Sequence, residues 1–478
     1  MASSTYDILG QKLFDGTTKR IYSMIDQPGL ICIYRKDNYR SSGKTFCIPG
    51  SRRSSVDSSI RFNQQQLQSL HNNPNLLDEI PGKGALTTSI TTCVYEILRE
   101  TSIPTFYVAP HPQPDMFIAR KCTMIPILWI VRRLANETYV KRNPGIANGH
   151  RFVPPIVEIY HKLDDSDSDS DECFSCIWSY EQLLNAHFDI ENLKISQTEI
   201  EYMYETCCTI FDILEHIWMV KKNCQLIDLK IEFGITTTMP KEIVVANTFD
   251  TETWHILRPM EKTLSTVNSI IPENDHINAH RDMLSNMYKS SFSASMTSRC
   301  IVVCSSSIDI EHAQKIKITL NEIYNVQCDI RLCSIYKSTK SVLKFLSNYV
   351  YEHCRPTIFI TLGNINNGLA MCLSSNSPYP VIHCSLMNID QQNNLFDINS
   401  YLSSDTSMFT VVFTLSSAIQ NVIQILSIND WRLWTKQRGK RLKNYLDLLI
   451  ADQQLTTISS TAISQQTNKT NSGILTNK

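Results

Sequence analysis

Glycine is scarce in this sequence: 14 of its 478 residues are glycine, about 3%, against an average of roughly 7% in proteins. Glycine supplies positive φ angles and lets the backbone approach phosphate groups closely. The deficit therefore excludes collagen-like and glycine-rich disordered proteins and argues against a chain dense in glycine loops. Long apolar runs are lacking too, since the longest, at 124–131, is too short to cross a bilayer.

An excess of charge of either sign is also missing, because 45 Lys and Arg face 46 Asp and Glu. A net charge of −1 gives no electrostatic reason to expect nucleic acid or an anionic membrane as a partner. The N-terminal MASSTYDILGQK lacks the charged-then-apolar pattern of a secretory signal. The 16 cysteines then suggest reduced thiols, and the single CxxC at 173–176 has no second pair at zinc-like spacing. We expect a cytosolic protein that binds neither nucleic acid nor membrane.

The length predicts two or three domains. Residues 1–283 mix short strands and helical segments without regular βαβ alternation, so we predict an α+β domain there. That domain carries a polar insertion at about 39–81 and an acidic serine run at 163–172, which is either a solvated disordered loop or a phosphorylation or partner patch. We predict a linker at 284–298 and a disordered tail at 453–478.

Residues 299–452 alternate between apolar runs and helical segments. IVVC, VQCDIRLCS, PTIFITL, YPVIHC and TVVFTL predict buried strands. Between the first two runs, Ala313, Ile316, Leu320 and Ile323 recur at spacings of three and four, as in a helix that faces a core. We therefore predict a three-layer α/β domain with a parallel sheet. Its ligands should lie beyond the carboxyl ends of the strands, at 305–307, 334–337 and 363–368.

Two groups of polar residues are candidates for a site in the first domain. Asp228, Lys230 and Glu232 in IDLKIEFG would share one face of a strand. Together with Lys19 they could hold Mg²⁺ and nucleotide phosphates, or they could form a solvent-facing ladder of alternating charges. The cationic residues of VRRLA and VKRNPG (131–145) suit a phosphate or carboxylate ligand, or form a charged turn beside a helix.

Longer strings in both domains resemble one known family. LFDGTTKRIY, RKCTMIPILWIVRRLA, YVKRNPG, SQTEIEYM and IDLKIEFG resemble the succinocarboxamide-ribotide (SAICAR) synthetase domain of animal purine-biosynthesis enzymes. Downstream, RCIVVCSSSIDIEHAQKIK, NNGLA and YPVIHC resemble the aminoimidazole-ribotide (AIR) carboxylase domain. The order matches the animal bifunctional family, over about residues 10–38, 82–283 and 299–452. The resemblance implies an ATP-grasp-like α+β domain followed by a parallel-sheet domain.

The resemblance also implies two consecutive reactions of de novo purine biosynthesis. In the carboxylase domain CO₂ is added to AIR without ATP. In the synthetase domain ATP and Mg²⁺ activate the carboxylate of the product, carboxyaminoimidazole ribotide (CAIR), and aspartate attacks to form an amide. No tightly bound organic cofactor is implied. Since the family's carboxylase domains pack into an octameric core, the chain is expected to be a homo-oligomer or to co-assemble with an active homologue.

Site residues follow from the resemblance position by position. The residues expected to bind ATP are Lys19, Lys230 and Glu232. Those expected beside the metal are Glu232 and Asn247, the latter replacing an aspartate of the family. Those expected to bind the ribotides are Arg132, Lys141, Arg142, Arg281 and Asp282 in the synthetase domain and Ser306, Asp309, Ser334, Lys337 and Asn367 in the carboxylase domain. The catalytic positions are Lys230, Glu232 and Tyr336.

Several of these positions depart from the family's pattern. Tyr336 replaces the proton-shuttling histidine, and a phenol, with a pKa near 10, is a poor substitute for an imidazole at that step. Ser305 replaces the first glycine of a phosphate loop, Glu137 replaces another loop glycine, and His255 replaces an arginine. We expect the carboxylase activity to be lost and the ligase activity to be weakened or gone. The alternatives are a working bifunctional enzyme, a ligase-only form and a non-catalytic partner of an active homologue.

Overall fold

The computed structural model describes residues 9–39, 78–79, 82–162, 177–250, 253–257, 298–350, 356–364, 368–385 and 409–472. Most of the insertion, the acidic run and the linker lie outside these ranges, as do Arg281, Asp282 and Asn367. The chain divides into two compact units. The first comprises Met1–Arg99, Ile103–Phe211 and Asn223–Ser285, and the second comprises Glu100–Ser102, Asp212–Lys222 and Asn286–Lys478.

The first unit is built on two antiparallel sheets. Its strands are β1 (Leu9–Asp15), β2 (Lys19–Met24), β3 (Leu30–Arg35), β4 (Asn38–Tyr39), β5 (Asp78–Glu79), β6 (Tyr107–Pro110), β7 (Met116–Arg120), β8 (Cys122–Leu134), β9 (Arg151–His161), β10 (Ile177–Trp178), β11 (Asp189–Ile190), β12 (Leu193–Lys194), β13 (Gln225–Thr236), β14 (Ile243–Val245) and β15 (Trp254–Leu257). The N-terminal sheet has the order β1-β2-β3-β7-β6, and the larger sheet has the order β10-β9-β8-β13-β14, with β15 also paired to β13. The short strands form the pairs β4-β5 and β11-β12.

Four helices lie in the described residues of this part of the chain. They are α1 (Lys83–Glu100), α2 (Glu137–Arg142), α3 (Tyr180–Asn185) and α4 (Gln197–Lys222). In α1 the fully buried Tyr95 packs against Phe106, Tyr107 and Phe249. The buried side chains of α4 recur at spacings of three and four, as the sequence pattern predicts. The α+β class predicted for this half of the chain is confirmed.

The second unit contains a five-stranded sheet whose strands are all parallel. It is formed by β16 (Arg299–Cys304), β17 (Gln327–Leu332), β18 (Thr357–Leu362), β19 (Val381–Cys384) and β20 (Thr410–Val412), in the order β17-β16-β18-β19-β20. The helices are α5 (Ile310–Ile318), α6 (Ile335–Val350), α7 (Leu369–Ser375), α8 (Leu415–Ser427) and α9 (Trp431–Ser472). Side chains of α5 and α8 pack on one face of the sheet and those of α6 and α7 on the other. The predicted three-layer α/β domain is confirmed.

One local prediction in this unit is wrong. Ile323 is 57% exposed, although Ala313, Ile316 and Leu320 are buried. The chain passes from α5 into a π-helical turn at Thr319–Ile323, and that wider turn moves Ile323 out of phase with the core. Helix α9 extends to Ser472, and its residues 440–472 contain neither proline nor glycine.

Among the described residues, every helix is too short or too polar to span a bilayer.

Candidate functional site

The pairing of β8, β9 and β13 fixes which polar residues share a face. Asp228, Lys230 and Glu232 stand opposite positions 132, 130 and 128 of β8, and β9 adds Glu158 and Tyr160 to the same face. The intervening residues of β13 point to the opposite face and are fully buried. The predicted arrangement of a carboxylate, an amine and a carboxylate on one strand face is therefore present.

Asp228 lies at the centre of a buried ionic network. It is 2% exposed and accepts hydrogen bonds from Arg132 Nη1 at 2.7 Å and Asn136 Nδ2 at 3.2 Å. Its other oxygen is 2.6 Å from Nδ1 of His255, whose side chain is 52% exposed. Burial acts to raise the pKa of Asp228, but His255 first, and then Arg132 and Lys230, outweigh it and lower the pKa to about 2. The alternative of a solvent-facing charge ladder is wrong for this residue.

Glu158 connects the network to the cationic turn, which is formed by VKRNPG at 140–145. Its Oε2 accepts two hydrogen bonds from Arg132, at 3.0 and 3.1 Å. Its Oε1 is 3.0 Å from Nη2 of Arg142 and also accepts from the Tyr160 hydroxyl. The ring of Tyr139 lies between the two guanidinium groups, 5.5 Å from one and 5.9 Å from the other. Arg132 and Arg142 are therefore held by a carboxylate that the sequence prediction did not include.

Helix α2 positions the cationic turn. Asn136 caps its N-terminus by accepting a hydrogen bond from Tyr139 N, while its amide nitrogen donates to Asp228. Glu137 occupies the first turn, where a carboxylate is favoured by the helix dipole, and Lys141 occupies the last turn, where a cation is favoured. Lys141 is exposed to solvent. The turn therefore presents Lys141 outward and places Arg142 against the sheet.

Lys19 begins β2, directly after a tight turn that other cations hold in place. Lys36 donates to the carbonyl of Gly16 at 2.6 Å and pairs with Asp15 at 2.6 Å. The hydrogen bond from Lys36, supported by those from Lys12 and Arg20, holds the pKa of Asp15 well below its usual range. Lys19 itself is half-buried at the start of β2.

Glu232 and Asn247 are the residues available to a metal ion. Glu232 pairs with Lys162, and its carbonyl accepts a hydrogen bond from Ala246 N at 3.0 Å, which brings residue 247 beside it. The Asn247 amide nitrogen donates to Lys230 O at 2.9 Å, so its carbonyl oxygen is the group left for a cation. The described residues contain no cluster of three or more His, Cys, Asp or Glu that could hold a metal. One carboxylate and one amide oxygen suit Mg²⁺ that is bound mainly through substrate phosphates.

In the second unit the predicted loops meet at the carboxyl edge of the parallel sheet. Ser305 N donates to Leu362 O, at the end of the neighbouring strand. Ser306 caps the short 3₁₀-helix Ser307–Asp309 through its hydroxyl, which accepts from Ile308 N. Gly368 has a φ of +67° at the start of α7, and a Cβ there would lie 3.9 Å from the Ile335 side chain. The three loops therefore lie together, as the sheet topology predicts.

Tyr336 and His383 are the notable side chains of this edge. Tyr336 lies in the first turn of α6 and is 79% exposed, with Ser334 just before it and Lys337 just after it. His383, in β19, is fully buried, and its Nδ1 is 2.8 Å from Thr361 Oγ1. Within the described part of the chain its Nε2 has no partner. Burial lowers the pKa of His383 to about 4, so the imidazole is neutral at physiological pH.

Two family models match the chain. The one described as SAICAR synthetase matches residues 69–265, and the one described as AIR carboxylase matches residues 299–445. The bifunctional phosphoribosylaminoimidazole carboxylase/phosphoribosylaminoimidazole succinocarboxamide synthetase of Rattus norvegicus is 30% identical over 463 residues, covering 95% of this chain and 99% of that protein. The multifunctional protein ADE2 of Gallus gallus is 30% identical over 457 residues, covering 94% of this chain and 97% of that protein.

Solved structures resemble the two halves separately. The phosphoribosylaminoimidazole-succinocarboxamide synthase of Ehrlichia chaffeensis has 19% identity and a TM-score of 0.43, covering 57% of this chain and 98% of that one. PurE of Treponema denticola has 23% identity and a TM-score of 0.29, covering 33% of this chain and 97% of that one.

Proposed function

Because this chain belongs to the family of bifunctional phosphoribosylaminoimidazole carboxylases/succinocarboxamide synthetases of purine biosynthesis, we propose that its synthetase half remains active while its carboxylase half does not turn over AIR. One observation carries the proposal. Lys230 and Glu232 share a strand face with Asp228, which is paired with Arg132, whereas the histidine position of the carboxylase half holds an exposed phenol.

In the synthetase half, ATP, CAIR and aspartate are the proposed substrates. Lys19 and Lys230 would neutralise the phosphates of ATP, and Glu232 with the carbonyl oxygen of Asn247 would hold Mg²⁺. The ion supplies positive charge to the phosphoryl group that is transferred. Lys141 and His255 expose cationic or titratable groups near the buried Arg132, and they would receive the ribotide. Lys141 is exposed, and the His255 side chain is 52% exposed although its Nδ1 contacts Asp228, so a ligand can approach both from solvent.

The test of the synthetase half is phosphate release from ATP in the presence of CAIR and aspartate. We expect turnover by the purified chain and a loss of at least about 100-fold in Lys230→Met, since an electrostatic contact to a reacting group is worth roughly 2.7–4 kcal/mol. Lys194→Met, at an exposed position of β12, is the matched control and should leave the rate unchanged. No phosphate release by the unmodified chain would contradict this half of the proposal.

In the carboxylase half, the proposal is that CO₂ is not added to AIR. A phenol stays protonated at neutral pH, so Tyr336 cannot accept a proton as an imidazole does. His383 does not replace it, because it is fully buried and its neutral ring contacts Thr361. Tyr336→His should not restore CAIR formation from AIR and bicarbonate, since Ser305 also replaces a loop glycine. Restored activity in that variant would show that the loop change is harmless.

A second candidate function is that of a non-catalytic partner that assembles with an active homologue. It is favoured by the packed interior of the parallel sheet, which is buried on both faces, whereas Ser305 and Tyr336 at its carboxyl edge depart from the family's pattern. Such a chain would be cytosolic and oligomeric. Mixing it with an active homologue and separating the assemblies by size distinguishes the two candidates, because the second requires mixed oligomers and no phosphate release by the chain alone.

A further inference from the structure

A cavity of about 440 Å³ lies in the second unit, and its lining residues include none of the site positions assigned above. Its wall is formed by α8, α9 and the part of α4 that belongs to this unit. The lining side chains that bear chemistry are His216, Trp434, Gln437, Arg438 and Arg441. The volume falls within the range of about 300–1,000 Å³ that is typical of small-molecule sites.

Aromatic rings form one wall of the cavity. The rings of His216 and Trp434 stack at a centroid distance of 4.1 Å with an angle of 14° between their planes. Burial lowers the pKa of His216, so its imidazole is neutral at physiological pH and contributes a flat surface rather than a charge. Trp434 is only partly buried, so some of its indole surface stays accessible to a ligand.

The charge of the cavity comes from α9. Arg438 Nε donates to Asp212 at 3.0 Å, which neutralises that guanidinium while its other N–H groups can still donate. Arg441 lies one turn further along α9, lines the cavity and is exposed. Of the two lysines next to these arginines, Lys440 donates to Gln420 and Lys436 pairs with Glu100. The lining therefore carries two guanidinium groups, one of which is paired with Asp212.

Gln437 supplies an independent sign of a ligand. It is 6% exposed, and its Oε1 accepts a hydrogen bond from Gln420 Nε2 at 2.7 Å. Its own Nε2 has no partner anywhere in the described residues. Buried donors are almost always hydrogen-bonded, because an unpaired one loses its contacts with water without compensation. A ligand acceptor in the cavity would satisfy this amide.

We propose that this cavity binds a nucleoside monophosphate. The base would stack against Trp434, the phosphate would contact Arg441 and the remaining donors of Arg438, and an acceptor on the ligand would take the Nε2 hydrogen of Gln437. Guanidinium groups recognise phosphate in a bidentate way, and an aromatic ring recognises any base through its face. The proposal is independent of the activity of either half, because it concerns residues that take no part in the sites above.

The experiment is a calorimetric titration of the full chain with AMP. It is carried out in the Lys230→Met background, so that binding at the synthetase face is suppressed. We expect one AMP per chain, and at least a tenfold increase in Kd in each of two additional variants, Arg441→Ala and Gln437→Met. Arg331→Ala is the matched control, since Arg331 is an exposed arginine at the other end of the same unit, and it should leave the Kd unchanged.

Three results would overturn the proposal: no AMP binding, a Kd that is the same in the Arg441→Ala variant, or inorganic phosphate that competes as well as AMP does. The last would show that an anion binds without its base. Because Arg441 is exposed, its replacement should leave the fold intact, and an unchanged melting temperature checks this. The readout is binding alone, so a chain without synthetase activity can still support the proposal.

Discussion

Replacing Asp228 with asparagine should destabilise the first unit strongly, although the two side chains have nearly the same shape. The carboxylate is buried and holds Arg132 Nη1 at 2.7 Å and His255 Nδ1 at 2.6 Å. Lowering its pKa from 3.8 to about 2 corresponds to about 2.5 kcal/mol of stability at neutral pH. Removing one partner of a buried ion pair costs about 3–5 kcal/mol of stability. Arg132 keeps its ion pair with Glu158 in the variant, so we expect Asp228→Asn to lower the free energy of unfolding by about 3 kcal/mol, the lower end of that range.

The pH dependence distinguishes this explanation from a loss of packing. A carboxylate whose pKa is depressed in the folded state stabilises the protein fully above its unfolded pKa, and that stabilisation disappears as the pH falls through the folded value. For Asp228 the window runs from about pH 4 to about pH 2, and roughly half of the contribution remains at pH 3. The difference in unfolding free energy between the native chain and Asp228→Asn should shrink accordingly.

Urea denaturation followed by circular dichroism at pH 7, 5, 4 and 3 measures the difference. Asp189→Asn is the matched control, because Asp189 is an exposed residue on the short strand β11, and it should differ from the native chain by no more than about 0.5 kcal/mol. A loss below about 1 kcal/mol at pH 7 would refute the reasoning. So would a difference that stays constant down to pH 3, since it would mean that the ionised form of Asp228 carries none of the stability.

Three further substitutions test other contacts. His255→Gln should lower the rate of phosphate release several-fold, while His255→Arg should retain the rate, because an arginine can still donate a hydrogen bond to Asp228. Gly84→Ala should destabilise the chain by about 1–3 kcal/mol in urea denaturation, since a Cβ there would lie 2.3 Å from the carbonyl oxygen of Arg35. The native chain should lose stability as the pH falls from about 6.5 to about 4, because the buried imidazole of His383 has a lowered pKa and takes up a proton in that range only when the chain unfolds. His383→Met should abolish this loss.

The parallel sheet could be predicted from the sequence because its strands are buried on both faces. Strands of that kind appear as short continuous apolar runs, and β16 and β18 are two such runs that pair in register from Arg299 to Cys304 and from Thr357 to Leu362. The shared face of Lys230 and Glu232 could be predicted for a similar reason, since side chains alternate along any strand. Both features depend on local periodicity alone.

Interruptions of the regular spacing of residues in a helix could not be predicted from the sequence. The π-helical turn after α5 adds a residue to one turn, and no residue type in TLNEI marks that insertion. Helix α9 extends past residue 452 through a polar stretch rich in serine and threonine, residue types whose composition alone does not predict a helix.

The ionic network shows why the ligand-binding residues of the first unit were only partly identified. Arg132 and Asp228 are 96 positions apart, and which carboxylate an arginine meets is set by strand register, which the sequence does not reveal. A buried charge must be paired, so the register of β8 and β13 determines that Arg132 and Asp228 form an ion pair. We therefore expect a ribotide to bind to the groups at the edge of the network that remain exposed to solvent. Lys141 is such a group, and its substitution should alter ligand affinity without the loss of stability expected at Asp228. His255 also keeps solvent contact, but it contacts Asp228 directly, so its substitution should alter both affinity and stability.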